Sequence, residues 1–259
     1  MNSTSGHRPA RSAIEFDVDA EHGARLSSLR VAGHELLWND DQTATFAWGC
    51  YPMIPWAGRV RRGQFLFRGH EYPLPITMPP HAIHGTCHDR RWHHESDGSY
   101  TIELDSGWPF GGTARQRFDV IDGGASLRCT IEVSADELAM PVSVGWHPWF
   151  RRPVALSFLA QSMYQRDADG IPDGTLVTGV PGPWDDCFTN LVGAPQLAFA
   201  DGPTIMLTSS CDHWVVYDQP VHAVCIEPQS GPPDAFTLAP RVIEPHETFA
   251  ATMTISVIG

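Results

Sequence analysis

The stretch LRCTIEV, residues 127–133, sends Leu127, Cys129, Ile131 and Val133 to one side of an extended chain and Arg128, Thr130 and Glu132 to the other. Apolar and polar residues that alternate with period two describe a half-buried strand. The same alternation sets Ile14, Phe16 and Val18 against Glu15, Asp17 and Asp19, and Tyr100, Ile102 and Leu104 against Thr101, Glu103 and Asp105. It returns at Ala251, Met253, Ile255 and Val257. Helical spacing is nearly absent, and 23 Gly and 22 Pro interrupt the chain too often for long helices. No repeat, low-complexity tract or linker stands out. The expectation is an all-β chain: a polar tail over residues 1–12, then a single-domain antiparallel sandwich over 13–259.

Composition narrows the function. A formal charge of −13 repels phosphate backbones and anionic lipid surfaces, so neither nucleic acid nor membrane is an expected partner. All 17 basic residues are arginine. With no lysine there is no Schiff-base chemistry and no P-loop, so acid–base work falls to His, Glu, Asp, Tyr or Cys. The six cysteines are scattered without a C-x-x-C pair, residues 1–12 lack an apolar leader, and no run approaches the length of a membrane span. Reduced thiols in a cytoplasmic protein are expected.

Four segments look unlike plain strand or turn: GCYPMIPWAGRVRR (49–62), HAIHGTCHDRRW (81–92), VGWHPWF (144–150) and CIEPQSGPPDAF (225–236). In the third, His147 shares a strand face with Ser143 and Gly145, opposite Trp146, with Pro148 expected to end the ladder. In the fourth, Glu227 follows Val221, Ala223 and Cys225 on one face, and Pro228 is expected to stop the strand. A histidine and a carboxylate placed at strand ends over a cleft can serve as acid and base. Cys87, His88, His93 and His94 are metal-ligand types, but their spacing fits no zinc template, and no metal is expected.

These segments, in this order, resemble the aldose 1-epimerase (galactose mutarotase) family. The resemblance runs from Gly49 to Phe236 through G-x-Y-P-x-x-P-x-x-x-R, H-G, H-P-x-F and E-P-Q-x-G-x-P-D-A-F. It implies a β-supersandwich with a sugar cleft, and a cofactor-free isomerase that interconverts sugar anomers. It implies Glu227 as the base toward the anomeric hydroxyl, His147 as the acid toward the ring oxygen, and His84 as support for the developing charge. Arg59 and Asp185 are implied as substrate-binding, with Asp186 a near-equal alternative to Asp185. Independently of the resemblance, Trp56, Trp92, Trp146 and Trp149 are aromatic surfaces on which a sugar face could stack, and Trp92 is taken as substrate-binding. Where the family often carries an arginine after H-G, this chain has His88. The rival readings are a mutarotase of hexose 6-phosphates, with Arg61–Arg62, Arg90–Arg91 and Arg151–Arg152 as phosphate ligands, and a non-catalytic sugar-binding protein. A homodimer is left open.

Overall fold

The computed structural model describes residues 13–259, so the tail expected over 1–12 lies outside the described residues. Regular structure is almost wholly antiparallel strand, with one short helix, Ala235–Leu238. The all-β expectation holds. Two large sheets dominate. The ten-stranded sheet runs Ile14–Asp19, Arg25–Val31, Cys50–Met53, Gly145–Arg151, Ala223–Gln229, His213–Tyr217, Asp185–Leu191, Ala160–Arg166 and Pro172–Val177, with His34–Glu35 on the side of Arg25–Val31. The eight-stranded sheet has Ser126–Ser134 near its centre, between Thr113–Ile121 and Thr248–Val257.

The quoted alternation explains how the sheets meet. Leu127, Cys129, Ile131 and Val133 are fully buried, and they belong to one apolar cluster with Leu26, Leu29, Trp146, Phe150, Val224 and Ile226 of the larger sheet. Burying each large aliphatic side chain contributes roughly 1.5–3 kcal/mol. One polar side chain bridges the layers. Gln116 donates from Nε2 to the Ala24 carbonyl at 2.7 Å and accepts at Oε1 from Trp146 Nε1–H at 3.2 Å. Buried amides are tolerated when so satisfied.

The larger sheet has a second inhabited face. Trp146 and Phe150 point into the core, whereas Trp149, one residue from each in parity, joins Tyr51, Met53, Ala57, Ala223 and Cys225 in a separate cluster on the opposite face. Pro148 and Pro228 do not end their strands, contrary to expectation: Gly145–Arg151 and Ala223–Gln229 both run past them. A proline has no N–H to give to a ladder. The two strands accordingly pair at Gly145↔Gln229 and again at Trp149↔Cys225, with the ladder broken between. The register is the same on both sides of the break, so His147 falls directly opposite Glu227. Among the described residues no helix is long and apolar enough to cross a membrane.

Candidate active site

Register across the larger sheet assembles the site. Tyr51 pairs with His147, His147 lies opposite Glu227, and Glu227 pairs with Val215. One step along the strands, Trp149 pairs with Cys225, Cys225 with Tyr217, and Tyr217 with Asp185. Side chains two residues apart share a face, so these two rows form one patch on five strands. Tyr51, His147, Trp149, Asp185, Tyr217 and Glu227 line a cavity of about 360 Å³.

The loops contribute the rest. Arg59 pairs with Ile83 in a small ladder, which brings Arg59 and His84 to the cavity together. The His84 amide donates to the Gly58 carbonyl at 3.0 Å. His84 is left-handed at φ 58° and Gly85 at φ 77°, and a Cβ at Gly85 would stand 1.8 Å from the Ile54 carbonyl oxygen. Only glycine fits that approach.

At the cavity floor His147 Nε2 lies 3.2 Å from Glu227 Oε1, and Gln229 Nε2 donates to Glu227 Oε2 at 3.1 Å. The His147 ring is stacked between Tyr51, at 4.9 Å between centroids, and Trp149, at 5.2 Å. His84 meets it edge-on at 5.1 Å. The stack continues outward, Trp149 onto His222 at 5.9 Å and His222 onto Trp38 at 4.6 Å. On the inner side the Arg25 guanidinium lies between Trp48 and Tyr51, at 4.2 and 5.1 Å. Arg25 has only carbonyl acceptors, at His22, Thr45, Trp48 and His88. Burial brings its pKa down to about 10.

Burial dominates the electrostatics. It pulls His147 down to about 3 and lifts Glu227 well above the usual carboxylate range, with the charge of Asp185 adding to the lift. His84 is held well below the ordinary imidazole value by burial and then by His147. Both members of the His147–Glu227 pair thus resist carrying an isolated charge. A neutral acid beside a neutral imidazole and a carboxylate beside an imidazolium hold the same number of protons. They differ by the position of one proton along a 3.2 Å contact. Such a pair can accept and donate a proton in one event without changing net charge.

Five buried polar atoms of the cavity-lining residues have no hydrogen-bond partner among the described residues: Tyr51 OH, His84 Nδ1, His147 Nδ1, Trp149 Nε1 and Gln229 Oε1. Each such atom costs about 1–3 kcal/mol when left unmet. All five belong to residues around one cavity.

Glu227, His147, His84, Arg59 and Asp185 are therefore brought to one cavity. Arg59 Nη2 stands 3.5 Å from Asp185 Oδ2. Arg166 holds both aspartates, Asp186 from Nε at 2.7 Å and Asp185 from Nη1 at 3.6 Å, but only Asp185 lines the cavity. Trp92 requires a correction. It is fully buried in the sandwich core and donates from Nε1 to the Cys87 carbonyl at 3.0 Å, so its faces are spent on packing. The cavity's aromatic walls are instead Phe46, Tyr51, Trp149 and Tyr217. Tyr51 stands inside a quoted motif, and Trp149, one of the four tryptophans weighed for stacking, shares the strand parity of His147. Gln229 shares parity with Glu227 in the same way. Phe46 and Tyr217 carried no signal. Cys87, His88, His93 and His94 disperse, the first two buried and the others exposed on an edge strand. Among the described residues, the ligand atoms that do converge are those of His147, Cys225 and Glu227, all within 4.8 Å of one another.

A two-sheet sandwich with a buried imidazole–carboxylate pair under an aromatic-walled cavity defines a class of all-β protein equipped for proton transfer. The sequence model of aldose 1-epimerase matches residues 18–188, well over half of the chain. The chain belongs to the aldose 1-epimerase family. A galactose mutarotase-like protein from Clostridium acetobutylicum superposes with a TM-score of 0.82 at 14% identity, covering 96% of this chain and 94% of that one. Galactose 1-epimerase from Lactobacillus acidophilus NCFM gives 0.79 at 17% identity, over 95% and 92%. An aldose epimerase homologue from C. elegans gives 0.79 at 14%, over 95% and 96%. At these identities the likeness speaks for the fold alone. The uncharacterized protein YphB of Escherichia coli K12 is 24% identical over 106 residues, a match spanning 39% of this chain and 36% of YphB.

Proposed function

We propose that the protein is an aldose 1-epimerase acting on free, unphosphorylated sugars. The observation that carries this reading is the His147–Glu227 contact of 3.2 Å between two residues that line one cavity. In a cyclic aldose the anomeric hydroxyl oxygen and the ring oxygen share one carbon. A base and an acid that already touch can reach both. Glu227 takes the proton from the hydroxyl while His147 gives one to the ring oxygen, and the ring opens to the aldehyde. Rotation about the bond to the anomeric carbon presents the other carbonyl face, and the reversed transfers close the ring. The pair ends as it began, and the sequence of proton moves needs no cofactor. His84, edge-on to His147, is suited to donate to the oxygen on which charge develops. Arg59 and Asp185 offer a donor and an acceptor to sugar hydroxyls.

Charge supports the unphosphorylated substrate. Arg59 is the cationic side chain of the cavity lining, and it faces Asp185. Most of the arginines considered as phosphate ligands are engaged elsewhere: Arg61 with Asp167 and Asp169, Arg90 with Asp105, Arg91 with Glu21, Arg151 with Asp40, while Arg62 is exposed and lies outside the cavity lining. Arg152 donates to the carbonyls of Asp218, Pro220 and Ala223. A phosphate dianion would meet Glu227 and Asp185 without a free guanidinium fork. Polarimetry and exchange NMR across a panel of aldoses and their 6-phosphates test the reading. Accelerated mutarotation of free aldoses is expected. Acceleration confined to the phosphates would replace the substrate class, and none for any sugar would remove the activity.

A further inference from the structure

The proton-transfer pair has a third neighbour to which the proposed reaction assigns nothing. Cys225 precedes Glu227 by two residues on the same strand face and pairs with Trp149, which follows His147 by two on the facing strand. His147 and Cys225 are thus the diagonal of a cross-strand square whose third used corner is Glu227. Imidazole nitrogen, thiol sulfur and carboxylate oxygen lie within 4.8 Å of one another, all three residues buried. Beneath the cavity, Cys225 is enclosed by the Trp149 and Tyr217 rings, which meet edge to face at 6.0 Å.

We propose that His147, Cys225 and Glu227 form an inhibitory binding site for a divalent cation of the zinc class. Zinc binds sulfur at about 2.3 Å and nitrogen or oxygen at about 2.0–2.2 Å in a tetrahedron, so its ligand atoms stand roughly 3.3–3.7 Å apart. His147 and Glu227, 3.2 Å apart, fall just short of that spacing, and the sulfur, within 4.8 Å of both, needs an approach of at most about 1–1.5 Å, within side-chain adjustment. The nitrogen, sulfur and oxygen donor set suits zinc, cobalt or cadmium and is unsuited to magnesium or calcium, which prefer six or more oxygens. Charge also balances. The ion displaces the thiol proton and the proton shared by His147 and Glu227. The product is a dication held by one thiolate, one carboxylate and one neutral imidazole, with zero net charge in a buried place. The fourth position opens to the cavity, where water completes the tetrahedron. The bound ion occupies the nitrogen and oxygen that must exchange protons with the sugar, so inhibition rests on the proposed epimerase chemistry, whereas binding does not.

The test uses the whole protein, freed of metal by chelator and dialysis, with cobalt(II) as the probe. A thiolate-to-cobalt charge-transfer band in the near ultraviolet is expected, saturating at one ion per chain. Cys225→Ser and, as a second variant of different size and polarity, Cys225→Ala should each lose the band while retaining the near-ultraviolet circular dichroism of the fold. Zinc added to wild type should suppress mutarotation, restored by chelator, and either variant should need more than about tenfold more zinc for the same loss. Absence of the band, or a band that survives both substitutions, overturns the site. A band in a protein that accelerates no mutarotation keeps the site and rejects the epimerase reading, so the two fail separately.

Discussion

His147 has no hydrogen bond to its Nδ1 among the described residues, and its ring is held by the faces of Tyr51 and Trp149. Two electron-rich faces also favour the imidazolium when the shared proton moves onto it. Trp149→Phe should keep most of the rate, and Trp149→Leu should lose about tenfold or more in kcat. Polarimetric initial rates check the pair of variants, and equal rates would deny the stack any part in proton transfer. Because burial resists a net charge of either sign on His147 and Glu227, kcat/KM should hold a plateau bounded below by His147 and above by the raised Glu227 carboxyl. It should fall only toward the acid value of about 3 and again on the alkaline side. The two limbs belong to the pair, not to one residue. An acid limb near ~6.5, the value of a free imidazole, would mean that burial does not govern His147. Glu227→Gln should lower activity by roughly 10²–10⁴-fold. It should also change stability in a pH-dependent way. Below about 4.3 the unfolded carboxyl and the buried one are both protonated. As pH rises from there toward the raised folded value, the unfolded chain releases a proton that the native chain keeps, so wild-type stability declines. Glu227→Gln removes that decline, and its Tm relative to wild type should climb with pH through this window.

The elements that deliver His84 and His147 solve different problems. His147 arrives by strand parity, His84 by a left-handed turn locked against Ile54. Gly85→Ala places a Cβ where the Ile54 carbonyl oxygen already stands, at positive φ. A loss of about 2–4 kcal/mol follows, with a drop in mutarotation as His84 shifts. Gly69→Ala, at φ 82° with nothing within 4 Å of the added carbon, should cost only the backbone conformation, about 1–2 kcal/mol, and leave the rate unchanged. Thermal melts of the two variants side by side make the comparison. Period-two reading reached the strands because one face of each is apolar and the other wet, as at 127–133. At VGWHPWF and CIEPQ, where both faces are buried, parity placed the faces but not the strand ends. Alternation disappears there, and proline looked like a terminus although the strands pass through it. Motif order brought Glu227, His147, His84, Arg59 and Asp185 forward. Composition could not separate Trp92 from Trp149, since both are tryptophans near motifs; only the face each occupies tells them apart.

For the whole molecule, the tie through Gln116 joins the layer that supports the site to the layer that packs against it. Gln116→Met leaves the Trp146 indole N–H and the Ala24 carbonyl unmet, a loss of about 2–4 kcal/mol. That corresponds to a fall in Tm of roughly 5–15 °C in a chain of this size, read by calorimetry. The near-ultraviolet signal of Trp146 should change with it. Family membership and the two-sheet architecture belong at this scale, and both were legible because core alternation and motif order extend over most of the chain. A chain of ring contacts also runs from Trp48 through Arg25, Tyr51, His147, Trp149 and His222 to Trp38. Imidazolium quenches the emission of an indole it stacks on, and neutral imidazole does so far less. Trp149, 5.2 Å from the ring that gains and loses the proton, is therefore a built-in optical gauge of where that proton resides. Stopped-flow fluorescence of wild type against Trp149→Phe could follow a single ring-opening event without any label on the sugar.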